Sequence, residues 1–138
     1  MSILTKDQIM KVDDLKIETV DVSKWWDGEV LVMGMTGTGR DAFEAETMDL
    51  NEEESDETEG KISKKNLVNF RARLVAATVV DENLNLIFNP GDIIALGLKN
   101  GAALDKIFDV SQRLSGLTDI EEKVKNSETG PKENTTSD

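Results

Sequence analysis

Histidine and cysteine are both absent from this chain of 138 residues. The first absence removes the side chain that most often exchanges protons near neutral pH and most often ligates metals. The second removes disulfides and thiolate metal sites, and leaves the redox compartment undiagnosed. Tyrosine is missing too, so the aromatic set is two tryptophans and four phenylalanines. No stretch approaches the roughly 18 apolar residues of a membrane helix, and no apolar run follows a basic N-terminal segment. A cytoplasmic protein with no membrane partner is the expectation. Basic residues are scarce: 16 Lys and Arg face 28 Asp and Glu, for a formal net charge of -12. That balance repels nucleic-acid phosphates and anionic headgroups and favours solubility or a basic protein partner. Charge alone also fits a phosphate-mimicking inhibitor of a DNA-binding protein, with poor specificity. The length allows one domain with a modest core.

What the chain does have is concentrated acid. Asp41 to Gly60 holds ten carboxylates and no basic residue. Within it, residues 51–60 cannot bury enough apolar area to offset ordering and are expected to form a solvated loop. Residues 1–16 read as an N-terminal arm or short helix, with Thr5 and Gln8 at capping-box spacing and an apolar stripe of Ile9, Val12 and Leu15. Residues 17–23 and 29–34 alternate well enough to predict paired strands across an Asp27-Gly28 turn. Thr36 is placed to cap a helix carrying Arg40, Phe43, Glu44 and Thr47. The run from Ser63 to Val80 predicts a central core helix, with Phe70, Leu74 and Thr78 on one stripe and Val75 and Val79 on its neighbour. Leu84 to Phe88 suits a short strand or extended edge. Asn89-Pro90 opens a short helix, and a longer one follows Asn100 and closes at Gly116. The architecture expected is α+β: a small two-stranded antiparallel ribbon packed with several helices, one domain over 17–125, then a disordered polar tail at 126–138.

Few motifs carry chemistry. Gly34 to Asp41 resembles a phosphate loop in its glycines and in lying between a predicted strand and helix. A Walker sequence needs Lys and then Ser or Thr after Gly39, and Arg40 and Asp41 stand there instead; Asp41 lacks the magnesium-binding hydroxyl and repels phosphate. An ordinary strand-to-helix turn is the better reading. The acidic run has no calcium-loop spacing and no carboxylate pair of fixed separation. Ser63, Ser111 and Ser115 have no His to activate them. The basic interval Lys61, Lys64, Lys65, Arg71 and Arg73 reads as a solvated helix face. The chain is therefore expected not to be an enzyme and to need no metal or cofactor. Trp25 and Trp26 are the better leads: in one strand they point to opposite faces, which lets one pack inward and the other anchor a partner, whereas in a turn that inference lapses, and core packing is at least as good a reading for either one. With Arg40 and Phe43 they are the candidate protein-interaction residues.

Taken in order, these pieces resemble the tail assembly chaperone family of long-tailed bacteriophages and prophages, in particular small proteins from Gram-positive hosts. The resemblance lies in Asp13-Asp14-Leu15, Glu18, Val20, Val22, Trp25-Trp26 and Val30-Leu31-Val32, then in Met35 through Glu44 against an L-T-G-x-x-R-D-x-F-E segment. It continues through Arg71 to Val75, Val79 to Glu82, Leu104 to Phe108 and Arg113 to Leu117, covering roughly residues 3–122. The resemblance implies a protein that binds the tape-measure protein, keeps it soluble and helps recruit tail-tube subunits. It implies action in the host cytoplasm during assembly and absence from the mature virion. It also implies a short product of a reading frame that many relatives extend by frameshifting, and it supplies no catalytic residues. Self-association is kept among the candidate partners. The alternative is a structural tail-completion or adaptor protein retained in the particle; a nucleotide-dependent enzyme built on the glycine-rich turn is a third class.

Overall fold

Two valines that continue an apolar helical run without a break decide the sheet. Val79 and Val80 follow the helix Phe70–Thr78 directly, yet they are extended and pair with the central strand. The computed structural model describes residues 2–48 and 69–117. Among them the order is α1 (Lys6–Lys11), β1 (Ile17–Asp21), α2 (Ser23–Trp26), β2 (Glu29–Met33), α3 (Gly37–Met48), α4 (Phe70–Thr78), β3 (Val79–Val80), a 3-10 turn (Pro90–Asp92), α5 (Ile93–Gly97) and α6 (Gly101–Leu114). The fold is α+β, and its antiparallel sheet has three strands in the order β1-β2-β3 rather than the expected two. Leu31 stands opposite Val80 and Val32 opposite Val79. β-Branched side chains suit this pleated, packed position, and that preference outweighs the helical spacing that placed Val79 on α4.

The other expectations fare unevenly. The ribbon is present, with Ile17 opposite Met33 and Asp21 opposite Glu29, but a four-residue helix occupies the connection in place of a two-residue turn. Thr5 and Gln8 form the reciprocal cap of α1, Asn89 caps the turn at Pro90, and Asn100 accepts the N–H groups of Ala102 and Ala103 at the start of α6. Gly116, at φ +71, supplies the left-handed residue after α6. Leu84 to Phe88 contributes a single bridge, Val80 to Leu86. The loop expected at 51–60, the tail expected at 126–138 and the start of the core run lie outside the described residues.

α4 is central. It packs on α3, α5 and α6, while α6 also crosses β1 and β2. Its buried residues point several ways, as a helix contacted on more than one side requires. One core cluster joins Val20, Val32, Val75, Leu96 and Ile107 between sheet and helices. A second is aromatic: the Phe70 ring lies 5.8 Å from Phe43 and 5.7 Å from Phe108. Between the clusters, the Thr78 hydroxyl donates to the Leu74 carbonyl at 2.9 Å and lies 2.7 Å from the Ser111 hydroxyl. α6 can approach this closely because Gly34 has no side chain, as a Cβ there would lie 2.5 Å from the Leu114 carbonyl oxygen.

Candidate functional site

The hairpin connection positions the two tryptophans. Asp21 ends β1, and its carboxylate accepts the Ser23 N–H at 2.9 Å, which starts α2. The Val22 carbonyl accepts the N–H groups of Trp25 and Trp26 at 3.0 and 2.8 Å. Asp27 then takes the left-handed conformation, φ 61 and ψ 43, that lets the chain return. The Ser23 hydroxyl, then its N–H, and further Lys106 hold the Asp21 carboxyl below its usual pKa. Lys106 also donates to the Asp21 carbonyl at 2.6 Å, tying the hairpin tip to α6.

A facing wall is built by two further side-chain-capped turns. The Asp81 carboxylate accepts the N–H groups of Asn83 and Asn85 at 2.8 and 3.0 Å, and Leu84 reverses the chain at φ 67. That turn leaves Leu86 and Ile87 exposed and Phe88 half-buried. The Asn89 side chain then accepts the Gly91 N–H at 2.8 Å, and the Asp92 carboxylate accepts the Asn89 N–H at 2.9 Å, which fixes the turn that leads into α5. Trp26, Ile87, Phe88, Ala95 and Leu96 enclose an apolar cleft of about 490 Å³, with Asp92 and Lys99 also in its lining. Beyond Phe88 lies a smaller cleft of about 190 Å³, lined among others by Gly39, Phe43, Glu46, Arg73 and Ile93. Exposed Ile94 and Leu98 on α5 extend the apolar surface. An apolar cleft with two charges in its lining can take apolar side chains and orient a polar flank.

The four sequence candidates are thus dispersed. Trp26 lines the larger cleft and Phe43 the smaller. Trp25 and Trp26 are both half-buried against the first core cluster, and because they occupy a helix the strand-alternation inference does not apply. Lys24 lies over the Trp25 ring, 5.5 Å from its centroid. Arg40 sits on the exposed side of α3, paired with Glu44 at 3.2 Å. In the glycine-rich turn the Thr36 hydroxyl accepts the Gly39 N–H at 2.9 Å, so the turn caps its own helix. Ile87, Ala95 and Lys99 escaped the sequence reading. Their only signal was an apolar run too short for a helix beside a capped helix start, and nothing local showed that it would face Trp26.

The phage tail assembly chaperone family model matches residues 7–126. The chain belongs to the phage tail assembly chaperones. The match spans the sheet, the central helix and both walls of the cleft. Neither the curated proteins nor the solved structures contain a match to this tail assembly chaperone. Among the described residues, no helix of the chaperone is long and apolar enough to cross a membrane. The family is one of chaperones rather than enzymes, and its match covers the residues from Asp13 to Leu117 on which the resemblance rests.

Proposed function

We propose that this tail assembly chaperone binds the tape-measure protein, keeps it soluble, and helps recruit tail-tube subunits around it in the host cytoplasm. It leaves before the particle is finished. The reading is carried by family membership together with the open apolar cleft at Trp26. An amphipathic client helix would lay apolar side chains against Trp26, Ile87 and Phe88, with Lys99 and Asp92 available to its polar flank. The smaller cleft, whose lining includes the buried Phe43, would extend the contact, with Trp25 and Arg40 on the neighbouring surface. Several shallow contacts favour release, whereas a deeply buried ion pair would have to recover its own desolvation. The ten carboxylates between Asp41 and Gly60 add solubility and steer basic client surfaces toward the chaperone.

The test is coexpression with the tape-measure protein, scored by its soluble yield and by copurification after nuclease treatment. A rise in soluble yield with a reproducible complex supports the proposal. If the tape-measure protein is soluble alone and never copurifies, the central claim fails. Stoichiometric protein in purified virions would instead favour a retained adaptor.

A further inference from the structure

Trp26 stands on a short piece of chain whose backbone bonds are local. α2 is four residues long, too short to be stable as a helix by itself. Ser23 donates to the Asp21 carboxylate, Trp25 and Trp26 to the Val22 carbonyl, and Asp27 to the Ser23 carbonyl at 3.3 Å. The Val22 N–H closes the base of the connection on the Gly28 carbonyl at 2.9 Å. These bonds shape the connection without fixing its seat against the helices. Packing supplies part of that seat, since Val22 is buried and both tryptophans lie half-buried against the first core cluster. Apolar contact is non-directional, so it holds a ring on a surface without setting its place along it.

Lys106 supplies a direction. From α6 its ammonium donates to the Asp21 carbonyl, at the end of β1, at 2.6 Å. After the Ser23 bonds, its charge also helps to hold the Asp21 carboxyl below its usual pKa. One ammonium thus acts on the carbonyl where the strand stops and on the carboxylate that starts α2. The other wall of the cleft reaches the same helix by another route. Ile107, the next residue, is buried in the core cluster that also holds Leu96, and Leu96 lines the cleft from α5. Consecutive residues of α6 therefore meet the two sides of the cleft, Lys106 through Asp21 and Ile107 through the core.

We infer that Lys106 is a positioning residue for the Trp26 cleft: it sets where α2, and with it the Trp26 ring, stands relative to the α5 wall. A recognition surface whose walls are held in place has less freedom to lose on binding, so the tether favours client capture. Its bond to Asp21 is exposed, and a single exposed contact of this kind adds little to global stability. Loss of the tether therefore shows in the placement of Trp26 rather than in unfolding. The role in capture rests on the client reading proposed above, whereas the placement of Trp26 is measured without a client.

Two variants of the full chain test it. Lys106→Met keeps an unbranched side chain and removes the charge and donor; Lys106→Arg keeps both. Trp26 is read alone in a Trp25→Phe background, by its emission maximum and its quenching by acrylamide. Client solubilisation is read by tape-measure coexpression with both tryptophans present. The expected result is a Lys106→Met protein that melts with wild type, shows a red-shifted and more readily quenched Trp26, and yields severalfold less soluble client. Lys106→Arg is expected to restore both readouts. Wild-type emission and quenching in Lys106→Met overturn the inference, as does a Lys106→Arg protein that fails equally. A shift at Trp26 that leaves client yield unchanged overturns the role in capture. A wild type that solubilises no client defeats the client reading instead, and the Trp26 readouts then decide the positioning by themselves.

Discussion

Single atoms decide how closely the sheet and α6 approach. At Gly34 a methyl group would meet the Leu114 backbone carbonyl, which cannot rotate away as a side chain could. Gly34→Ala is therefore expected to shift α6 off the sheet and destabilise the fold by about 1–3 kcal/mol, read as a lower urea midpoint at unchanged slope. Gly34 reads in the sequence only as part of a glycine-rich turn; its partner lies 80 residues away in the chain, and no local spacing shows it. Asp21 makes a second residue-scale case. Ser23 lowers its folded pKa below the ordinary 3.8, so its contribution to stability is present above 3.8 and is lost as pH falls through the folded value. Asp21→Asn keeps an acceptor for the Ser23 N–H and does not titrate. The stability advantage of wild type over that variant should be constant above about pH 5 and shrink below 3.8. An advantage that instead grows on acidification contradicts the assignment.

At the scale of elements, caps were the most legible feature and strand–helix junctions the least. Thr5, Asn89 and Asn100 announce their helices because a short side chain must satisfy N–H groups only two or three residues away. Asn100 accepts two of them, at 2.9 and 3.0 Å, so Asn100→Ala should lower stability by about 1 kcal/mol in a denaturant titration. β3 was hidden for the opposite reason: Val79 and Val80 fit a helical stripe and a pleated edge equally well, and only the distant partners Val32 and Leu31 resolve the choice. α2 was masked by the Asp27-Gly28 pair, which forms a turn but follows a helix that the Trp25-Trp26 doublet does not announce. The candidate site was legible in Trp26 and illegible in the wall it faces. A buried bond between elements escapes the sequence in the same way. Thr78 and Ser111 sit on apolar helix faces, where their spacing suggests packing, and they lie 2.7 Å apart. A double-mutant cycle of Thr78→Val and Ser111→Ala should show coupling of about 1 kcal/mol, whereas additive losses would mean that the two hydroxyls do not depend on each other.

For the whole molecule, stability and recognition are assigned to different aromatic groups, and that separation can be measured. Phe70 joins α3 to α6 through its ring contacts at 5.8 and 5.7 Å and is 1% exposed. Phe70→Ala empties that junction and should cost about 3–5 kcal/mol, a large share of the roughly 5–15 kcal/mol that holds a domain together. Ile87, half exposed at 50%, has a side chain that lines the cleft, while its backbone N–H bonds the Val79 carbonyl at 3.3 Å whatever residue stands there. Ile87→Lys should accordingly change stability by no more than about 0.5 kcal/mol while placing an ammonium where an apolar client side chain would sit. Thermal melts and tape-measure coexpression on the same two variants give the comparison. Phe70→Ala should lower the melting temperature and lose client through unfolding, whereas Ile87→Lys should melt with wild type and still lose most of the soluble client. If Ile87→Lys keeps full solubilising activity, the client contact lies elsewhere on the surface, and the exposed apolar side chains of α5, Ile94 and Leu98, become the next positions to substitute.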